Sequence, residues 1–290
     1  MELRIQNLTH QYKAGAKALS DINLTIKPGL IGLLGPNGAG KSTFMSVLST
    51  LLKPTEGQVF LDDKDIVKNP NVVRKVLGYL PQHFGVYDQL SGKEFLKYMA
   101  AIKGIPQKAA TERIDALLLM LNLYDAKDQK LKGYSGGMRQ RIGIAQALLN
   151  DPKILIVDEP TVGLDPEERI RFRRLLADLS GDKIVILSTH IVSDVASIAS
   201  EIVIMNEGKL ITQNSPEGLV STLEGRVWEV VVSSEEAAKL EANHTVSNTT
   251  RRAGGFELRV ISDSAPAEGA VVVAPNLEDC YLHFTRQKAE

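Results

Sequence analysis

The run Gly35-Pro36-Asn37-Gly38-Ala39-Gly40-Lys41-Ser42-Thr43 constrains the fold of this chain more than any other stretch. It fits the pattern G-x-x-x-x-G-K-[ST]. Context decides what such a match is worth. A compact apolar run at residues 30–34 leads straight into it, and residues 41–52 behind it have helical spacing. A strand, a glycine loop and a helix in that order form a cradle whose backbone N–H groups turn inward around phosphates. Lys41 supplies a cation to the β- and γ-phosphates, and Ser42 a hydroxyl to Mg2+.

Two further segments complete the chemistry. Residues 154–157 are four consecutive apolar residues followed by Asp158 and Glu159. A buried strand is a rigid support, and its C-terminal end in an α/β sheet faces the ligand crevice. Asp158 would hold the Mg2+ through water, and Glu159 would orient and deprotonate the attacking water. Upstream, Ser135-Gly136-Gly137 opens a helix expected over residues 136–149, with Ser135 as its N-cap. Taken alone this is an ordinary capped helix. Beside the other two motifs it becomes a second set of phosphate donors, with free N–H groups, a positive dipole end and glycines that permit close approach. One chain has no evident way to bring it to its own first site.

Around these motifs the pattern alternates. Strands are expected at residues 3–12, 19–26, 57–61, 76–80, 154–157 and 184–188, and helices at 92–103, 111–123 and about 166–179. The alternation predicts an α/β P-loop NTPase core with a buried, mainly parallel sheet. It carries an N-terminal antiparallel β subdomain and an inserted α-helical subdomain at about 83–150. A composition shift after Thr222 divides an ATPase domain, 1–222, from a small α+β C-terminal extension, 223–290. In that extension a strand is expected at 226–232, a helix at 234–242 and a hairpin around Ala253-Gly254-Gly255. A last helix starts near Asn276, its N-cap, with Glu278 and Asp279 in the first turn. Passive and regulatory roles for the extension both remain open.

Composition removes several classes. The 290 residues carry a net charge of -1, without the basic excess of a nucleic-acid binder. A single cysteine, Cys280, rules out an intrachain disulfide and fits a reducing compartment; it reads as an inert, half-buried thiol. No apolar run approaches the roughly 20 residues of a membrane span. The first residues lack a basic start and apolar stretch, so the chain reads as cytosolic. Work at a membrane would run through a partner.

In these ordered motifs, residues 1–222 resemble the nucleotide-binding subunits of ATP-binding cassette (ABC) transporters. Gly163-Leu164-Asp165 matches the family's D-loop, His190 its switch histidine, and Gln82, after Tyr79-Leu80-Pro81, its Q-loop glutamine. Tyr12 lies where the family places an aromatic that stacks on adenine; by itself it reads equally as packing. The resemblance implies an ATPase using ATP and Mg2+. Tyr12, the loop residues 35–43, Ser135, Gly136, Gly137 and Asp165 would bind nucleotide, Asp165 by coupling two subunits. Ser42, Gln82 and Asp158 would hold the metal, and Glu159, His190 and Gln82 would serve hydrolysis. Residues 134–138 match the family's signature but depart from its commonest form: Tyr134 replaces leucine and Met138 replaces glutamine, which predicts altered packing and intact hydrolysis.

The same resemblance implies two partners: a second copy, or a homologous ATPase subunit, in a nucleotide sandwich, and a transmembrane permease. The protein would then sit on the cytoplasmic membrane face through that permease. The segment at 275–282 resembles the closing motif of bacterial ABC-2-type exporter ATPases, which points to export. The permease is expected at residues 83–90, where Phe84, Val86 and Tyr87 are apolar. The alternative is a soluble ABC ATPase acting on a non-transport partner. One cassette, a short helical insert and neutral charge weigh against it, and against nucleic acid as partner.

Overall fold

The computed structural model describes residues 1–13 and 15–286. The chain begins with strands β1 (Leu3–Gln11), β2 (Lys17–Ile26) and β3 (Gly29–Leu34), then helix α1 (Lys41–Leu48). Next come β4 (Glu56–Leu61), the short β5 (Lys64–Asp65), α2 (Asn71–Arg74) and β6 (Leu77–Leu80). Three helices follow: α3 (Gly92–Ile102), α4 (Gln107–Met120) and α5 (Gly136–Leu148). The alternation resumes with β7 (Ile154–Asp158), α6 (Pro166–Leu179), β8 (Ile184–Thr189), β9 (Glu201–Asn206), β10 (Lys209–Asn214) and α7 (Pro216–Ser221). The C-terminal part holds β11 (Val227–Val232), α8 (Ser234–Asn243), β12 (Thr245–Arg252), β13 (Gly255–Ile261), β14 (Val271–Val272) and α9 (Leu277–Arg286).

A six-stranded sheet in the order β10-β9-β3-β8-β7-β6 forms the centre, with every pair parallel except β10 with β9. Its inner strands are apolar on both faces because the sheet separates two cores. Leu30, Leu155, Val157, Val185, Leu187, Ile202 and Ile204 point into one core. Ile31, Leu33, Ile154, Ile156, Ile184, Ile186 and Val203 point into the other. The period-2 alternation of a strand thus feeds both sides at once, and each fully buried Leu or Ile contributes about 1.5–3 kcal/mol.

The second core is closed by α1, through Phe44, Met45 and Leu48, and by an antiparallel sheet in the order β2-β1-β4-β5. The first core is closed by α3, α4 and α5, through Phe95, Leu96, Ile114, Leu117, Leu118 and Ile142. α3 starts at a capping box in which Ser91 Oγ accepts from Glu94 N–H at 3.2 Å and Glu94 Oε2 accepts from Ser91 N–H at 2.7 Å. A third, antiparallel sheet, β12-β13-β11-β14, packs with α8 around Val230, Val232, Leu240, Leu258 and Val260.

The P-loop NTPase architecture and its antiparallel and helical additions match the sequence expectation. Several details differ. α1 ends at Leu48, not residue 52, because Thr50 takes a left-handed backbone (φ 60°). α4 spans Gln107–Met120, where 111–123 was expected: Pro106 sets its start, and Asn122 at φ 51° turns the chain past its end. The hairpin β9–β10 and helix α7 were not foreseen. Cys280 is fully buried, not half-buried, and its thiol donates to the Leu219 carbonyl at 3.3 Å.

Candidate functional site

The glycine loop leaves the C-terminal end of β3, which lies between β8 and β9 at the place where strand order reverses. Such a switch point opens a crevice beyond the strand ends. Two backbone requirements explain the glycines there. Gly40, the residue before α1, has φ 97°, and a Cβ would meet the Ala18 carbonyl at 2.5 Å. Gly38 has φ 83°, a region that L side chains rarely adopt. The result is one open depression lined by Ala18, residues 36–43, Gln82 and Glu159.

Lys41 is buried at the floor of this depression. Its Nζ donates to the Gly35 carbonyl at 2.6 Å and the Pro36 carbonyl at 3.2 Å, and lies 3.9 Å from Glu159 Oε1. Burial lowers its pKa, while the Glu159 and Asp158 carboxylates act to raise it. The ammonium is therefore partly desolvated and held beside two acids, ready to exchange backbone carbonyls for phosphate oxygens.

Asp158 and Glu159 end β7 as expected, each under a tenth exposed. Burial raises the Asp158 pKa, against the easing effect of the nearby Ser188 and Ser42 hydroxyls. Asp158 Oδ1 itself is buried without a hydrogen-bond partner. A buried, unsatisfied carboxylate oxygen is costly, so the site is built for a cation or water that satisfies it. Among the described residues no three His, Cys, Asp or Glu side chains cluster to hold a metal by themselves. One carboxylate, the exposed Ser42 hydroxyl and phosphate oxygens make a hard, all-oxygen donor set, which fits Mg2+.

Glu159 sits just past the strand with φ 47°, its N–H held by the Ser188 carbonyl at 3.0 Å. Its carboxylate meets His190 Nδ1 at 2.9 and 3.0 Å. Carboxylate oxygens only accept, so the proton of that bond belongs to Nδ1, leaving Nε2 available. Sequence reasoning gave Glu159 and His190 separate roles; their direct contact follows from the register Asp158↔Ser188 between β7 and β8. Tyr12 is half exposed, its hydroxyl 3.1 Å from Thr43 Oγ1 and its ring edge-on to the buried His10 at 4.7 Å.

Ser135, Gly136 and Gly137 lie elsewhere. Ser135 caps α5, its Oγ accepting from Met138 N–H at 3.2 Å, and none of the three lines the phosphate-loop depression. They border the loop at 163–165 and α6 instead: a Cβ on Gly137 would meet Glu168 Oε2 at 2.9 Å. Asp165 caps α6, accepting from Glu168 N–H at 2.8 Å. Sequence reasoning missed Arg141 and Glu168. Arg141 donates to the carbonyls of Gly137, Leu121 and Asn122 at 3.2–3.3 Å and to Glu168 Oε1 at 3.4 Å, tying the signature helix to α4 and α6. The available signal was a basic residue one turn beyond Gly137. Tyr134 is explained: its ring is buried, and its hydroxyl donates to the Ala126 carbonyl at 2.9 Å, pinning the loop before α5. Met138 packs on the edge of the same core.

Comparison with known proteins bears on this geometry. The ABC transporter family model matches residues 19–162. The ABC transporter ATP-binding protein YhcH of Bacillus subtilis is 32% identical over 99% of this chain and 97% of its own length. The daunorubicin resistance ATP-binding protein DrrA3 of Streptomyces coeruleorubidus is 31% identical over 93% of this chain and 91% of its own. Among solved structures, the dimeric bacterial ABC transporter cassette MJ0796 superposes with a TM-score of 0.67 at 28% identity, covering 73% of this chain and 98% of that one. The same cassette is also known in a post-hydrolysis state bound to ADP and Pi.

Proposed function

The chain belongs to the ABC transporter family as an ATP-binding subunit and an ATPase, and from that premise we propose that it drives a separate permease, most plainly an exporter. The observation that carries the mechanism is the separation inside one chain. A phosphate cradle with its acids lies in one place, and the exposed Ser135–Gly136 start of α5 in another. Two copies placed head to tail make each half-site whole, and the relative MJ0796 is itself dimeric.

In this scheme the loop residues 35–43 and Lys41 bind the phosphates, and Tyr12 stacks on the base. Ser135, Gly136 and Gly137 of the second copy close over the γ-phosphate, with Asp165 and its loop at the joint. Ser42, Gln82 and Asp158 would hold Mg2+, which would supply charge neutralisation for the phosphate oxygens when bound. Glu159 takes the proton of the attacking water, and His190, fixed by its Nδ1–Glu159 bond, presents Nε2 toward the γ-phosphate. Closure of the two halves is the work stroke, and hydrolysis resets it.

Beside Gln82 runs an apolar groove lined by Phe84, Val86, Tyr87, Tyr98, Met99 and Ile102. Tyr87 and Ile102 are more than half exposed and Tyr98 nearly half. An exposed aromatic groove next to a nucleotide-sensing residue suits a permease contact. No helix among the described residues is long and apolar enough to cross a membrane, so we assign the crossing to that permease. We propose that the subunit sits on the cytoplasmic membrane face through that permease. Export is supported by the near full-length match to a daunorubicin resistance ATP-binding protein. A photo-crosslinker at Tyr87 or Ile102 should capture a co-purifying integral membrane protein. Capture confined to probes on β14 or α9 would contradict the groove as the contact.

A further inference from the structure

The short turn Val192–Asp194, directly after His190, is gripped from three sides. Buried Asp194 accepts from Thr161 Oγ1 at 2.5 Å, and Thr161 is itself fully buried two residues past Glu159. Arg173 of α6 donates through Nη1 to the Ser193 carbonyl at 2.6 Å. The third side is α9, which packs on this turn, on β9 and on α7. Leu277, Cys280, Tyr281 and Phe284 share one helical face and join Val192, Val195 and Ile198 in one core. Two bonds fix the helix further: the Cys280 thiol to the Leu219 carbonyl, and Asn206 Nδ2 to the Thr285 carbonyl at 3.1 Å.

The start of α9 is held in the opposite direction. Asp279 is fully buried and accepts from Arg259 Nη2 at 2.8 Å, Ser247 Oγ at 2.5 Å and Asn276 N–H at 2.8 Å. Arg259 and Ser247 belong to β13 and β12. One helix therefore spans from the C-terminal sheet to the segment that carries the switch histidine. Burial raises the Tyr281 pKa, and the charge of Glu159 raises it further, which sets this phenol within the field of the hydrolytic carboxylate.

We propose that α9 is a positioning element for ATP hydrolysis, with Tyr281 holding the Val192–Asp194 turn so that His190 stays against Glu159. The inference rests on the assignment of His190 and Glu159 given above. His190 is nearly half exposed, so its own burial does not fix it; the packed turn behind it does. Removing the ring leaves room for the turn to shift while the phosphate loop, on the other side of β3, is untouched.

The test uses the full chain and three readings: ATP bound per chain, kcat and melting temperature. Tyr281→Ala is expected to lose about tenfold in kcat with ATP binding per chain unchanged, and Tyr281→Phe to keep the parent rate. Tyr281→Leu fills most of the space if the alanine variant folds poorly, and it should still lose several-fold in kcat. Combined with His190→Gln, the loss from Tyr281→Ala should shrink, because both act through one contact. A parent rate in both Tyr281→Ala and Tyr281→Leu overturns the proposal. So does a fall in kcat matched by a fall in ATP bound per chain, or additive losses in the double variant. If His190→Gln itself runs at the parent rate, the site assignment fails and the brace with it. If only the Tyr281 variants do, the brace alone fails.

Discussion

Three contacts define what Glu159 does in the site. Lys41 lies at 3.9 Å, His190 at 2.9 Å, and the Ser188 carbonyl holds its N–H. Its left-handed backbone at a non-glycine position costs about 1–2 kcal/mol, a cost borne where the side chain must meet the crevice. Replacing the carboxylate by an amide, Glu159→Gln, removes the proposed base and keeps the shape. ATP hydrolysis should fall by at least about 100-fold while ATP still binds, as single-turnover assays and equilibrium dialysis would read. Tyr134→Phe removes one hydrogen bond, while the Ala126 carbonyl keeps the bond from Gln129 N–H at 3.0 Å. It should lower unfolding free energy by about 1 kcal/mol in urea titrations with little change in kcat. Lys41, Asp158 and Glu159 were legible in the sequence because residue type, order and flanking apolar runs all agree. The Glu159–His190 contact was not, because it depends on strand register, which no local pattern encodes.

At the scale of elements, most of the longer helices and strands were legible, but their ends were not, and β9, β10 and α7 escaped the sequence reading. The α4 pattern becomes apolar only at Ala110, so periodicity places its start late; the polar first turn after Pro106 carries no such mark. β9 and β10 flank a tight turn at Glu207 (φ 48°) and Gly208 (φ 76°), a backbone that glycine permits but that glutamate hides. Close packing makes one glycine in α5 indispensable. A Cβ at Gly143 would meet the Phe84 ring, and Leu80 Cδ1 at 2.8 Å. Gly143→Ala should therefore cost about 1–3 kcal/mol of stability and displace Phe84 from the groove wall. In α9, burial pushes the Cys280 thiol up to about 12. The reactive form is the thiolate, and a raised pKa keeps the thiol protonated from pH 7 to 9. Native protein at pH 8 should resist iodoacetamide, and protein in guanidinium should be alkylated fully, as intact mass would show.

At the scale of the whole molecule, the central sheet divides two cores, and its parallel strand ends carry the site. The proposed division into units 1–222 and 223–290 follows composition, but the packing is more continuous than composition suggests. Val230, Leu258 and their neighbours form a separate small core, whereas Val227, Ile261, Leu277 and Cys280 belong to the large one with Val192 and Val195. The C-terminal part therefore shares some of its core with the segment after His190. That sharing was invisible in sequence because α9 lies far from His190 along the chain and reaches it only through the fold. The phosphate cradle and the Ser135 helix start, in contrast, were both readable, and so was the puzzle of their separation. On the proposed scheme, a complete site takes two chains joined through those surfaces. Sedimentation of Glu159→Gln at saturating ATP and Mg2+ should give twice the mass of one chain, and adding Ser135→Arg should return it to one. A single-chain mass for Glu159→Gln, or a doubled mass that survives Ser135→Arg, would contradict the shared site.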